Sequence, residues 1–207
     1  MSRAGAGAAA GCGSTPRLET EWLILRKFTE RDLGAVYTIF SDVEVNTFLP
    51  WFPVKSMAEA EAFYETRIAG RYRQAQAYCY AVCRREDDLP IGYVTVNPED
   101  GFDLGYGLRR EFWHRGLMTE AGRAVLERLQ QDGIPFVTAT HDVRNPRSGD
   151  VMKRLHMQYR YSYEEQWQPK DLRVTFRLYQ RNLDGRHDRV YTEYWDRSAV
   201  RFVEPEV

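Results

Sequence analysis

The chain has 207 residues, 43% of them apolar and 29% charged, enough for a sizeable core and too apolar for wholesale disorder. Its 29 Lys and Arg against 30 Asp and Glu leave a net charge of −1, which argues against a dedicated nucleic-acid binder. No apolar run reaches the roughly 18 to 20 residues of a membrane span, and three cysteines are too few for a disulfide framework. Cys79 and Cys83 fall on one face of a predicted strand, where they cannot bridge. A reducing cytoplasm is the plain reading.

Residues 1–16 are nearly all Ala, Gly and Ser and predict a disordered leader, with Cys12 inside it. From Trp22 to Phe28 the pattern predicts a strand. Thr29 with Asp32 approximates a capping box for a helix through Phe40, and Ser56 with Glu59 opens a second helix carrying Ala60, Phe63, Tyr64 and Ile68. Between them Phe48, Trp51 and Phe52 sit in a loop set by Pro50 and Pro53. Strands follow at 78–84, 91–96 and 102–108; Gly105 and Gly107 in the last suggest a bulge or a close backbone approach. Leu117, Ala121, Val125 and Leu129 at spacing four make the strongest helix, stopped by Gly133. A strand over 135–140, a short helix over 146–155 and strands over 157–166 and 172–183 complete a domain of residues 17–183. Tyr159, Tyr161 and Tyr163 alternate on one face of the first of these last strands. The predicted fold class is α/β: a mixed, mostly antiparallel central sheet with helices on both faces. A tail over 184–207 holds Tyr191, Tyr194, Trp195 and Phe202, and either docks on the domain or on a partner subunit or stays loose.

The informative segment runs from Asp103 to Ala121, a glycine-kinked strand entering a long helix through a basic loop. Free N–H groups and the positive end of a helix dipole suit an anion, particularly a pyrophosphate. Arg109, Arg110 and Arg115 add charge, while no Walker A or G-x-G-x-x-G pattern is present. An ordinary strand–helix connection is the plainer alternative.

Gly105, Tyr106, Leu108, Glu111, Trp113, Gly116, Thr119, Glu120 and Ala121 resemble the acyl-CoA-binding motif of the GNAT N-acetyltransferases, nearest the ribosomal-protein N-terminal (Rim-type) branch. Asn145, Ser148 and Val151 match a second block, so the likeness spans about residues 17 to 183. The resemblance implies the acyl-CoA N-acyltransferase fold and acetyl transfer from acetyl-CoA to a primary amine. It assigns the co-substrate to Tyr106, Leu108, Arg109, His114, Arg115, Gly116, Leu117, Met118, Thr119 and Asn145, and the acceptor to a loop with Trp51 and Phe52. No metal is implied. The chain departs from the pattern where His114 replaces a glycine and where His156-Met157 replaces Gly-Phe; both turns favour positive φ.

An amine must lose a proton before it attacks a thioester. Asp103 and His141 are the two candidate bases, and each has a structural alternative, a turn closure or a helix cap. Ser148 takes the place of a general acid near the departing sulfur. The acceptor stays open between a protein N-terminus and a small amine. Acidic surroundings would favour cationic amines, and neutral aromatic ones would not. The chain is compatible with a homodimer. A catalytically idle acyl-CoA binder is the alternative that His114 and His156 motivate. An RNA surface on residues 159–181 is disfavoured by the interspersed Glu164, Glu165 and Asp171.

Overall fold

The computed structural model describes residues 15–74 and 76–207. The stretch read as a leader lies outside the described residues as far as residue 14, and so does Cys12. Thr15 already belongs to the body. Its buried hydroxyl donates to the Ala77 carbonyl (2.7 Å) and accepts from the Cys79 N–H (3.1 Å).

Nine strands among the described residues form one sheet in the order β1-β2-β3-β4-β5-β6-β8-β7-β9. They are β1 (Leu18–Glu19), β2 (Leu23–Arg26), β3 (Tyr78–Arg84), β4 (Pro90–Asn97), β5 (Asp103–Leu108), β6 (Phe136–Asp142), β7 (Gln158–Trp167), β8 (Leu172–Asn182) and β9 (Arg201–Phe202). Only β5 and β6 run parallel. The helices are α1 (Leu33–Ser41), α2 (Met57–Phe63), α3 (Leu117–Gln131), α4 (Pro146–Arg154) and α5 (Glu193–Arg197). No described helix is long and apolar enough to cross a membrane.

The predicted helix starts form by side-chain capping. Thr29 donates its N–H to Asp32 Oδ2 (2.8 Å) at the turn leading into α1. At α2 only half of the box closes: Ser56 Oγ accepts from the Glu59 N–H (3.2 Å), and the Glu59 carboxylate reaches back to Lys55 N (2.8 Å) rather than to Ser56.

Alternation along the strands sorts side chains between two faces. On one face Val94, Val96, Leu104, Leu108, Val137 and Ala139 pack under α3 and α4, with Ala121, Val125 and Leu129 fully buried. On the other face, Ile24, Cys79, Ala81, Cys83 and Tyr93 pack under α1 and α2. Both cysteines are free and buried, and burial pushes their thiols up to about 11 and about 12. That second face continues past β6 as a separate cluster. There Tyr161, Tyr163, Val174, Phe176 and Leu178 lie against Tyr191, Tyr194 and Trp195.

One local reading changes and another is narrowed to one of its alternatives. The three alternating tyrosines of β7 do not share a face. The register shifts between Tyr159 and Tyr161, which pair with Tyr179 and Leu178, so the extra residue turns Tyr159 to the α3–α4 side. It meets Tyr179 edge-on at 5.9 Å. The glycines of β5 mark no bulge, since the β4–β5 register is unbroken. Gly107 instead admits the Tyr93 ring, which a Cβ there would meet at 2.5 Å.

The tail docks on the domain. β9 adds to β7 through Ser162↔Phe202 and Tyr163↔Arg201. Glu204 accepts from Arg177 Nε (2.9 Å) and from Ser162 Oγ (2.5 Å), and Tyr194 stacks on Tyr163 at 5.0 Å and 16°.

Candidate active site

The sheet opens between β5 and β6. These parallel neighbours share one pair, Asp103↔Thr138, at the start of β5, and no further pair beyond it. Because the Arg109 N–H turns to Ile91 on β4 (2.8 Å), alternation turns the backbone groups of residues 104, 106 and 108 towards the gap. The Leu108 carbonyl there is taken by the Trp113 indole N–H (2.6 Å).

On the α3–α4 side the gap leads to the start of α3. Gly116, at φ 77°, begins the helix with open space around its Cα. Leu117, Met118 and Thr119 then form the first turn, whose N–H groups have no carbonyl behind them. His114 keeps the left-handed conformation of the glycine it replaces (φ 61°), as does His156 (φ 58°). Both substitutions therefore preserve their turns and carry the backbone strain that a Cβ adds there. The basic loop holds less free charge than its sequence suggests. Arg110 pairs with Asp42 (2.7 Å) and Glu44 (3.2 Å), and Arg109 pairs with Glu111. Arg115 forms no ion pair among the described residues and lies over the Phe112 ring at 5.5 Å.

α4 faces the same gap. Asn145 stands at its N-cap with Pro146 behind it, but its side chain makes no cap bond. Tyr106 on β5 reaches across to Ser148, with its hydroxyl 2.8 Å from the Ser148 carbonyl and 2.9 Å from Ser148 Oγ. Burial raises the Tyr106 hydroxyl above its ordinary range, so it remains a donor. His141 is on this face too, 4% exposed, its ring against Tyr179 and Gly149. Nδ1 lies 2.8 Å from the Asp142 carbonyl, Nε2 is buried without a partner, and burial lowers the pKa. The backbone of Asn145, the N-cap residue of α4, is among the groups the ring meets. His141 is a packed, neutral histidine beneath α4.

Asp103 points the other way, into a cleft of about 430 Å³ on the opposite face. The cleft is also lined by Asp100, Thr140, Tyr163, Glu165, Trp167, Phe176 and Tyr194, and by Pro50 and Ser198. The two candidate bases are thus separated by the sheet. The turn that delivers Asp103 is tight: the Asp103 N–H donates to the Asp100 carbonyl (2.9 Å), and Gly101 and Phe102 between them have φ of 61° and 52°. An aromatic residue at positive φ is strained, and here the Phe136 ring, edge-on at 5.8 Å, holds it. Asp103 Oδ1 is buried with no hydrogen-bond partner. Burial, then the nearby Asp100 carboxylate, push its pKa up to about 7. Lys170, from the turn between β7 and β8, donates to the carbonyls of Asn46 (2.9 Å) and Thr47 (3.0 Å), pinning the α1–α2 loop beside the cleft.

The loop residues expected to meet an acceptor behave otherwise. Trp51 turns into the core, its N–H bonded to Asn46 Oδ1 (2.9 Å) and its ring edge-on to Phe63 and Phe40, at 5.5 and 6.0 Å. Phe52 is 59% exposed and lies outside the cleft. The Trp51 indole satisfies the neighbouring core first, Phe52 is left at the surface, and Pro50 lines the cleft.

A family model described as an acetyltransferase (GNAT) domain matches residues 23–158. The chain belongs to the GNAT acetyltransferase family. The uncharacterized N-acetyltransferase YoaA of Bacillus subtilis (strain 168) is 28% identical over 148 residues, 69% of this chain and 83% of that protein. A GNAT-family acetyltransferase from Bacillus anthracis superimposes with a TM-score of 0.70 at 18% identity, covering 82% of this chain and 99% of that one. The ribosomal L7/L12 α-N-protein acetyltransferase RimL, solved with coenzyme A, gives 0.66 at 21% identity, over 81% and 97%. The fold expected from the Rim-type resemblance is thus the fold found. This GNAT chain is an N-acetyltransferase.

Most of the cleft went unread in the sequence. Asp100, Tyr163, Glu165, Trp167, Phe176 and Tyr194 come from four separate segments with no shared motif. The one available signal was the aromatic content of the tail.

Proposed function

We propose that the chain transfers an acetyl group from acetyl-CoA to a primary amine by direct attack on the thioester, with Asp103 as general base. The observation that carries this reading is the buried, unpartnered Asp103 Oδ1 beside the opening between β5 and β6. A carboxyl titrating at about 7 is matched to taking a proton from an amine near neutral pH. The amine enters from the Asp103 face and the thioester from the α3 side. The free N–H groups of β5 suit the thioester oxygen as charge develops on it. The new C–N bond forms as the C–S bond breaks, and Ser148, held by Tyr106, returns a proton to the sulfur. The first turn of α3 and Arg115 meet the pyrophosphate, and the free side chain of Asn145 is available to the pantetheine arm. That His114 and His156 keep the positive φ favoured by the glycines they replace supports a working donor site over an idle binder.

Thermal melting with and without acetyl-CoA, followed by release of free thiol in the presence of an amine panel, tests the proposal. Acetyl-CoA raises the melting temperature by several degrees, through mass action on the native state, and thiol release depends on amine. Stabilisation without thiol release for any amine would contradict it.

A further inference from the structure

Resting on the transfer reading, we propose that the acceptor is a small dicationic amine, carrying a second positive charge on a short apolar stem besides the nitrogen that is acylated. The charged groups lining the cleft are Asp100, Asp103, Glu164, Glu165 and Arg197. Two of these are neutralised within the protein: Glu164 by Arg173 (2.5 Å) and Arg197 by Glu193. Asp100, Asp103 and Glu165 form no ion pair with any described Lys or Arg. Asp100 is met by hydroxyls alone, those of Tyr191 (3.3 Å) and Tyr194, and by no cation.

One carboxylate suffices to deprotonate the attacking amine. The other two add negative charge that no ion pair neutralises, and the crowding is felt: Asp100 raises both Asp103 and Glu165, in each case after burial as the larger cause, and the more distant Arg71 and Arg197 offset this only in part. A cation relieves that crowding. It is not a metal ion that the groups are spaced for, since no three His, Cys, Asp or Glu among the described residues are placed to hold one. The remaining walls suit an organic cation. Tyr163 and Tyr194 are stacked, Phe176 lies 5.6 Å from Tyr163 and Trp167 lies 5.0 Å from Phe176. Ring faces attract ammonium groups, and ring edges pack against methylenes. About 430 Å³ is the size of a small-molecule site. The C-terminal segment supplies Tyr194, Arg197 and Ser198, so it acts as a specificity wall as well as a strand-bearing tail.

The test compares kcat/KM, at saturating acetyl-CoA, for putrescine, for butylamine and for a neutral tripeptide amide that begins with serine. Putrescine and butylamine share one stem and differ in the second charge. The expected ratio is about tenfold or more in favour of putrescine, with the tripeptide poorer still. Glu165→Gln and Asp100→Asn each draw that ratio towards one, chiefly through the KM for putrescine, and melting curves check that both variants fold. Equal values for the two amines, or a tripeptide that outperforms putrescine, would overturn the inference and leave acetyl transfer standing. No thermal shift with acetyl-CoA and no thiol release with any amine would overturn both.

Discussion

The two mouths of the β5–β6 opening are built on opposite electrostatic plans. On the α3–α4 side stand backbone N–H groups at a helix start, an arginine with no ion pair among the described residues and a pair of hydroxyls, and His141 is packed beneath α4 with its pKa lowered by burial. On the other side, three carboxyl groups share a cleft with aromatic side chains, and one carboxyl oxygen is buried without a partner. On the proposed reading the first arrangement takes an anion and the second a cation. A transferase that joins a pyrophosphate-bearing donor to an amine needs that asymmetry, and the sheet between the two mouths keeps them from neutralising each other.

The largest break in this contrast is Asp103→Asn. It lowers kcat by about 100-fold or more while acetyl-CoA still raises the melting temperature. The same variant is more stable than the parent where the carboxyl is charged. A group held at about 7 against an ordinary 3.8 costs stability as pH rises from the lower value through the higher. Asn at this position therefore raises the melting temperature by several degrees at pH 8, an advantage that fades towards pH 4.

On the other mouth, Gly116→Val forces a β-branched residue to φ 77° and costs ~1–2 kcal/mol. It raises the KM for acetyl-CoA about tenfold while the KM for amine moves less. Tyr194→Ala removes the stacking partner of Tyr163 and raises the KM for amine several-fold, sharpening the assignment of the tail to the acceptor side. The smallest effect is His114→Gly. It removes strain at φ 61° and adds ~1 kcal/mol of stability, read as a melting shift of ~2–4 °C.

The same contrast explains what could be read from the chain. The α3 mouth is written in consecutive residues, Asp103 to Ala121, because one strand–turn–helix connection builds it, and periodicity places Ala121, Val125 and Leu129 in the core. The acceptor mouth joins a turn at Asp100, a loop at Pro50, the β7–β8 hairpin and the tail, which meet only after the sheet forms. Local patterns carry no trace of such a meeting. They also misplaced Tyr159, because a one-residue bulge inverts facing and leaves no mark in the spacing. Trp51 was drawn inward by Phe40 and Phe63, whose nearness is tertiary.

The central claim is that Asp103 takes the proton from the amine, and the pH dependence of kcat with both substrates saturating tests it most directly. The parent enzyme is expected to rise through pH of about 7 to a plateau, and Asp103→Asn to lose that break along with most of its rate. A break near 7 that survives in Asp103→Asn, with the rate kept, would place the base elsewhere.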